Sequence, residues 1–575
     1  MKKSIISVAL LLGIAFSCKD SFLETAPYGS TNEAVLSSNE KGADALLIAA
    51  YSNLDGFSGW DNGTPWGSAA SDWTFGSVAG GDAYKGSEAN DQPDITPIER
   101  HEANENNPYL EAYWRTYYDG ISRANKAIVA WAALKEKGVV DAAKADKRLG
   151  EARFLRAYYH LNLTKHYGKV PFIDETLADV RIGNDADITP KIKEDLNFAI
   201  DKLPLSHPGE PGRATKGAAN VVRAYVELWA GQYAAAKPFL DAVINSGVYS
   251  LNATFHENFN PAYRNTSESV LEVQQSVNNG TDDNANNGDV LNFPYNGGPG
   301  GCCGFHQPSQ NLVNAFKTIN TGVPDIAGYN SSDVTSDQGV ASTATFTPYA
   351  GEVDPRLDWT VGRRGIPYLD WGKHPGAAWV RDQVYGGPYS PIKNVYYKSQ
   401  EGNNTTTSGW TKGFNNNNVK LIRYADVLLM AAECEVEANN LAKALEYVNK
   451  VRKRAANPAG FVKDGANPAA NYVVREYTSG EEGYFDNQTN ARNAVRFERR
   501  LELGMEGHRF FDLVRWGIAA TEKNAYFAVE KSKRTYLTGA AFVAGKDEVV
   551  PIPRKAITQS AKDGAPTLKQ NQAGS

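Results

Sequence analysis

The sequence predicts a mainly α protein, in which paired helices form a single discontinuous domain interrupted by a large, irregular, loop-rich insertion. Two observations lead there. Apolar side chains recur at three- and four-residue spacing in blocks on either side of a long stretch that lacks such spacing. The whole chain holds 52 Gly and 27 Pro among 575 residues beside 11 Trp, 29 Tyr and 22 Phe, a composition of long irregular segments that carry aromatic rings.

Taken in order, Met1-Lys2-Lys3 and the apolar run Ile5 to Phe16 read as a signal peptide, too short to span a bilayer. Ser17 before Cys18 is the pattern of a bacterial lipoprotein, with Cys18 lipidated as the first mature residue. Tyr113, Tyr117, Ile121, Ala124, Ile128 and Trp131 then line one face of a long helix, followed by a second bearing Phe154, Tyr158 and Leu161. Val222, Tyr225 and Trp229, a break at Gly231, and Tyr233, Ala236, Leu240 and Val243 describe an αα-hairpin. Another hairpin has Ile422, Ala425, Leu429, Ala432 and Val436 on its first helix, Asn439-Asn440 as turn and N-cap, and Leu441, Ala444, Val448, Val451 and Ala455 on its second. A last helical segment over about 493–517 is divided by Gly504 and Gly507. Tight pairs of this length with small Ala in their stripes resemble tetratricopeptide units. The expected organisation is a signal peptide at 1–17 and one domain over 18–575. Its helical scaffold occupies about 30–250 and 419–517, and its loop-rich parts about 55–105 and 250–418.

Ligand chemistry is expected in the loops. The stretch from Asp55 to Gly76 places Trp60, Trp66 and Trp73, with Asp72, among Gly, Ser and Asn. An indole in such a loop can stack on the C–H face of a sugar while neighbouring carboxylates and amides bind hydroxyls, although each indole can equally reach the core. The stretch from Trp359 to Trp379 repeats the pattern with Arg364, Tyr368, Asp370, Trp371 and Trp379. Arg363 and Arg364 could donate to hydroxyls or a carboxylate, or could serve with Asp354-Pro-Arg-Leu-Asp as internal ion pairs.

Other chemistries find little support. Lys plus Arg total 60 against 66 Asp plus Glu, a net charge of −6 that argues against nucleic acid as a partner. Asp282, Asn284 and Asn286 begin like a calcium loop, but Asn287 and Phe293 stand where that loop needs Gly and Glu, so any calcium there would be structural. The sequence lacks a G-x-S-x-G elbow, a phosphate-cradling glycine loop and C-x-x-C, and His101-Glu-Ala-Asn-Glu lacks the second His of a zinc-protease helix. Asp72 and Asp370 could supply the carboxylate pair of a glycoside hydrolase, but both sit in loops of a helical scaffold. Cys302 and Cys303 are adjacent and their pairing is open; Cys434 reads as a buried small hydrophobe.

Three stretches are more specific: Glu151-Ala-Arg-Phe-Leu-Arg-Ala-Tyr-Tyr-His, Leu421-Ile-Arg-Tyr-Ala-Asp-Val-Leu-Leu-Met-Ala-Ala-Glu, and Arg499-Arg-Leu-Glu-Leu-Gly-Met-Glu-Gly-His-Arg-Phe-Phe-Asp-Leu. Together with Cys18-Lys-Asp-Ser-Phe-Leu-Glu, Asp354-Pro-Arg, Val550-Pro-Ile-Pro-Arg and Leu568-Lys-Gln-Asn, they resemble the SusD/RagB family of outer-membrane nutrient-binding lipoproteins. The resemblance covers essentially the whole mature chain and is weakest over 250–350. It implies a non-catalytic, cofactor-free protein, lipid-anchored on the outer face of the outer membrane. Its partner would be a SusC/RagA-like TonB-dependent transporter, over which it acts as a hinged lid and captures an oligosaccharide or, in some members, a peptide. Asp20 resembles a short surface-export signal. The resemblance gives Arg153 and Arg156 a structural role as internal pair formers and transfers no ligand site onto the tryptophans. Among the alternatives, a peptide binder would use Arg364, Lys373 and the same indoles; a helical-repeat protein scaffold would leave the signal peptide and aromatic loops unexplained.

Overall fold

The computed structural model describes residues 36–56, 65–480 and 483–571. Cys18, Asp20 and the signal segment, as well as Trp60, lie outside them. The helical pairs form as their apolar spacing requires, and several begin on a polar cap. In α1 (Glu40–Ser52) the Asn39 side chain accepts from Gly42 N–H, and in α2 (Pro108–Glu136) Asn107 accepts from Tyr109 N–H ahead of a proline. Asp141 caps α3 (Ala142–Tyr167), which ends at Gly168. After α4 (Thr189–Lys202), Thr215 caps α5 (Lys216–Trp229), and Gly231 turns the chain into α6 (Tyr233–Asn245). Tyr113, Ile121, Ala124 and Trp131 are completely buried on α2. Gly120 lets α3 come close: a Cβ there would stand 2.7 Å from the Tyr159 ring.

Consecutive helices pack on one another from α1 through α6, and α6 then packs on α7 (Tyr424–Glu437), which packs on α8 (Leu441–Ala455) and α9 (Gln488–Leu503). The stack is therefore continuous through the interruption, and residues 246–423 loop out between two neighbouring helices. Gly504 and Gly507 separate α9 from α10 (Arg509–Arg515), as their position predicts, and α11 (Ala519–Glu530) continues beyond the expected end of the scaffold. Asn440 stands at the start of α8 but does not cap it through its side chain, which donates to Glu435 instead at 3.0 Å.

Short antiparallel ribbons tie the insertion down. With β1 at Ala83–Gly86, β2 at Ser269–Val273 and β3 at Phe305–Pro308, followed by β4 (Val361–Gly362), β5 (Ser390–Pro391) and β6 (Val419–Arg423), the pairs are β1 with β3, β2 with β6 and β4 with β5. The β2–β6 ribbon pairs Val273 with Val419 and Leu271 with Ile422, so the insertion leaves and re-enters the helical stack through one closed base. Ile422, expected on the helix, is thus a strand residue: the i,i+3 step to Ala425 falls across a strand-to-helix junction.

Buried ion pairs fasten that base. Arg423 at the end of β6 reaches Glu268 at 2.9 Å and Glu502 of α9 at 2.8 Å. Arg454 of α8 bonds the same two carboxylates, and Arg356, held by Asp354 at 2.8 Å, reaches Glu498 at 2.7 Å and Glu502 at 3.1 Å. A second cluster joins Arg499 to Asp426 and Asp512, and Arg515 to Glu433. Arg156 lies 2.7 Å from Asp195 and Arg153 3.8 Å from it, so both form internal pairs. Cys434 is buried in α7, where burial raises its thiol pKa.

Lys523 of α11 is the contrasting case. It is fully buried against Tyr526 and Phe527, and its ammonium has no hydrogen-bond partner. Burial lowers its pKa to about 7, although Glu99 opposes that shift. The folded state therefore holds the proton more weakly than the unfolded chain, so the penalty is full below about pH 7 and fades towards the ordinary lysine value of 10.5. Lys523→Met is expected to stabilise the protein by roughly 1–4 kcal/mol at neutral pH and to lose that gain above about pH 10.5, as read from denaturant midpoints at the two pH values.

Candidate functional site

The two aromatic loops have different fates. Trp66 is 4% exposed and its indole N–H donates to Gln92 at 3.1 Å. Trp73 is 0% exposed, opens a helical turn over Trp73–Val78, donates to the Gly288 carbonyl at 3.0 Å and rests against Phe305 and His306. Asp72 accepts from His166 Nε2 at 3.2 Å. Trp73 thus fastens the 65–86 segment to the insertion, whereas Trp66 and Asp72 fasten it to Gln92 and to α3, and the buried rings have no face to offer a ligand. Trp73→Ala is accordingly expected to cost about 3–5 kcal/mol of stability, measured by denaturation, where a ligand platform on a loop would lose binding alone.

The second loop builds a separate small cluster. Phe293, Tyr368, Ile392, Val395 and Tyr396 are buried together, with Leu369, Trp371 and Trp379 packed half-buried around them. Tyr368 is inside, its hydroxyl donating to the Pro391 carbonyl. Trp371 donates to the Tyr396 carbonyl at 3.0 Å and stands edge-on to that ring, and the Lys398 ammonium lies 5.8 Å from its ring centroid. Trp379 meets Tyr368 and His374 edge-on at 5.5 and 5.2 Å. Asp370 is exposed and accepts from the backbone N–H groups of Lys398 and, at 2.9 Å, Ser399. Both indoles are thus held against a rigid support while part of each stays at the surface, where a ligand can reach it.

Arg364 is turned inward: it is 8% exposed, donates to the carbonyls of Val340, Ser342 and Ala344, and lies over Phe346. Arg363 grips Asp358 at 2.6 Å and Lys373 pairs with Asp464 at 2.6 Å. The calcium-like run does not converge. Asp282 accepts from Thr406, Asn286 exchanges hydrogen bonds with Asp289, and Asn284 is exposed. Cys302 and Cys303 are joined to each other as a vicinal disulfide.

Sequence reasoning passed over Trp410. It is 53% exposed and meets Phe414 edge-on at 5.7 Å. Its neighbour Thr411 donates to the Gly300 carbonyl at 2.6 Å, and Gly300 N–H donates to the Tyr396 hydroxyl at 3.2 Å, which attaches the Trp410 loop to the same cluster. The signal was available: Asn404-Thr-Thr-Thr-Ser-Gly-Trp410 is another indole in a polar, glycine-bearing run. Arg381 completes the rim, lying 5.3 Å from the Tyr295 ring and paired with Glu88 and Asp91.

With this geometry in place, comparison with known proteins is decisive for the family. The model described as "SusD family" matches residues 267–573, and one described as "Starch-binding associating with outer membrane" matches residues 21–228. The chain belongs to the SusD family. SusD-family proteins bind ligands and do not catalyse reactions. A SusD-like protein of Bacteroides ovatus is 24% identical over 541 residues, covering 90% of this chain and 83% of that one. A SusD superfamily protein from Bacteroides vulgatus superposes with a TM-score of 0.67 at 20% identity, over 93% of this chain and 99% of that one. The surface glycan-binding protein A from Bacteroides thetaiotaomicron, solved in complex with laminarihexaose, gives 0.64 at 19% identity, over 93% and 100%. No helix among the described residues is long and apolar enough to cross a membrane.

Proposed function

We propose that this SusD-family protein is a cell-surface glycan-binding lipoprotein, anchored in the outer membrane through Cys18. It captures an oligosaccharide on the surface formed by Trp371, Trp379 and Trp410 and passes it to a SusC-like TonB-dependent transporter. The observation that supports this most is the set of partly exposed indoles attached to one buried aromatic cluster. Stacking on such rings needs few matched polar groups, whereas each buried hydroxyl left without a partner costs about 1–3 kcal/mol, so moderate affinity and ready release go together. Asp370, at the rim and exposed, offers a carboxylate to a sugar hydroxyl. Family membership and a solved relative that holds laminarihexaose agree with a glycan.

A peptide ligand is less well served. Arg364 and Lys373 are engaged with carbonyls and Asp464 respectively, which leaves Lys398 beside Trp371 as the cation at this surface. Titrating the purified soluble protein against an oligosaccharide panel and a peptide panel tests the reading. Saturable binding confined to oligosaccharides is expected, and binding confined to peptides would replace the glycan by a peptide.

A further inference from the structure

Among the described residues the chain has three Asn-Gly pairs, at 279–280, 287–288 and 296–297, and the fold holds them very differently. The pair is chemically special. The backbone nitrogen after an asparagine can attack the amide carbon of that side chain, and glycine carries no side chain to block the approach. Whether it does so depends on how freely the local backbone turns.

Asn287 and Gly288 are locked. Asn287 is 6% exposed and its amide donates to the carbonyls of Asp282, Asp283 and Ala285 at 3.1, 3.2 and 3.0 Å. A Cβ on Gly288 would stand 2.6 Å from the Ala69 side chain, and the Gly288 carbonyl accepts from Trp73. Asn296 and Gly297 are exposed but bracketed. Just before them Tyr295 N–H donates to the Trp379 carbonyl at 2.8 Å, and just after them a Cβ at Gly298 would stand 3.1 Å from the Trp379 ring.

Asn279 and Gly280 meet every requirement. Both are exposed, and among the described residues the backbone of neither makes a hydrogen bond. Gly280 lies at φ +98°, and a Cβ there would meet nothing within 4 Å. The Asn279 side chain folds forward over the glycine: its Oδ1 accepts from Thr281 N–H at 3.4 Å, an Asx turn that polarises the amide carbonyl, and its Nδ2 donates to Ser276 Oγ at 2.8 Å.

We propose that Asn279 is a site of spontaneous deamidation in the folded protein, ahead of Asn296 and far ahead of Asn287. The Gly280 nitrogen bonds to Asn279 Cγ, the Cγ–Nδ2 bond breaks, and ammonia leaves with the proton that the nitrogen gives up, so that a five-membered succinimide remains. Water then opens the ring. Addition at Cγ gives aspartate, and addition at the backbone carbonyl gives isoaspartate, whose main chain runs through Cβ; no oxidant, reductant or other reagent enters. The product carries one more carboxylate, ionised at neutral pH because such groups titrate at about 4, which makes the formal charge of −6 one unit more negative. The isoaspartate form also lengthens the backbone beside Asn278. That residue's amide donates to the Gly402 and Thr405 carbonyls at 3.1 Å, and its Oδ1 accepts from Thr407 N–H at 3.1 Å. These bonds hold the run leading to Trp410, so the modification loosens the loop of that indole. None of this depends on which ligand the protein takes.

The test holds the soluble mature protein in mildly alkaline buffer, below its melting temperature, and maps it by mass spectrometry as time passes. Trypsin releases residues 265–317 as one peptide, because no Lys or Arg stands between Arg264 and Lys317, so its fragment masses report all three pairs together. Asn279 is expected to show the exchange of NH2 for OH first, at least about tenfold faster than Asn287, where reaction waits for a local opening. In the denatured chain the three sites should react at comparable rates, since the fold no longer separates them. Asn279→Gln, which would have to close a larger ring, should abolish the first gain. Modification of Asn287 or Asn296 as fast as Asn279 in the folded protein overturns the proposal, as does an intact Asn279 under conditions that modify the denatured chain. Amide hydrogen exchange over 402–407 should quicken in the isoaspartate form; unchanged exchange there would remove the link to the Trp410 loop.

Discussion

Glu502→Ala should lower the free energy of unfolding by about 3–5 kcal/mol, among the largest effects of any single substitution in the chain. Glu502 is completely buried on α9 and accepts from Arg356, Arg423 and Arg454, which arrive from the insertion, from β6 and from α8. Its removal leaves those guanidiniums short of a counter-charge in a medium that solvates them poorly. The penalty is that of unpaired buried charge, so Glu502→Gln, which keeps an acceptor, should fall between the two. The acid limb of the stability curve gives an independent check. Burial alone would raise the Glu502 pKa, but Arg454, Arg423 and Arg356 outweigh it and hold it below the usual carboxylate range. Against the same opposition, Arg423 and Lys393 bring Glu506 down to about 2. Groups depressed in the folded state contribute stability that is complete above the ordinary value of 4.5 and is lost as pH falls through that value towards about 2. Wild-type stability should therefore fall steeply below about pH 4.5, and the Glu502→Ala variant should show a shallower slope there.

The second large effect is on binding. Trp371→Ala and Trp379→Ala should each weaken oligosaccharide binding with little change in stability, because neither ring belongs to the main core. Stacking contacts of aromatic rings contribute about 0.5–1.5 kcal/mol beyond the area they bury, so a fewfold to tenfold loss is expected for each. The double variant should lose more than either single one. Trp73→Ala provides the contrast, with a large loss of stability and no selective loss of binding.

Much of this architecture was legible in the sequence, and the reasons differ by element. The hairpins α5–α6 and α7–α8 show their 3,4 spacing because one face of each meets neighbouring helices. Strand β6 departs from the expected helix at Ile422 because its partner, β2, lies about 150 positions earlier in the chain and leaves no mark on local periodicity. The same cause explains Trp66 and Trp73. Their glycine-rich, polar surroundings suggest a surface loop, but pairing of β1 with β3 and the bond from Trp73 to Gly288 draw the segment beneath the insertion. Trp371 and Trp379 came from the same pattern and stand at the surface because their support is a second, smaller cluster. The arginines of the family hallmarks were correctly assigned to internal pairs, whereas Arg364 shows that a guanidinium in a loop can be occupied entirely by backbone carbonyls.

A glycan is expected on the rim of the small aromatic cluster and not in one of the clefts elsewhere on the molecule. A crystal structure of the protein with its best-binding oligosaccharide tests this directly. Sugar rings are expected against Trp371, Trp379 or Trp410, with further contact to Asp370. An oligosaccharide seated instead in the cleft of about 660 Å³ between Tyr51, Arg213 and Glu272, with those indoles bare, would contradict it.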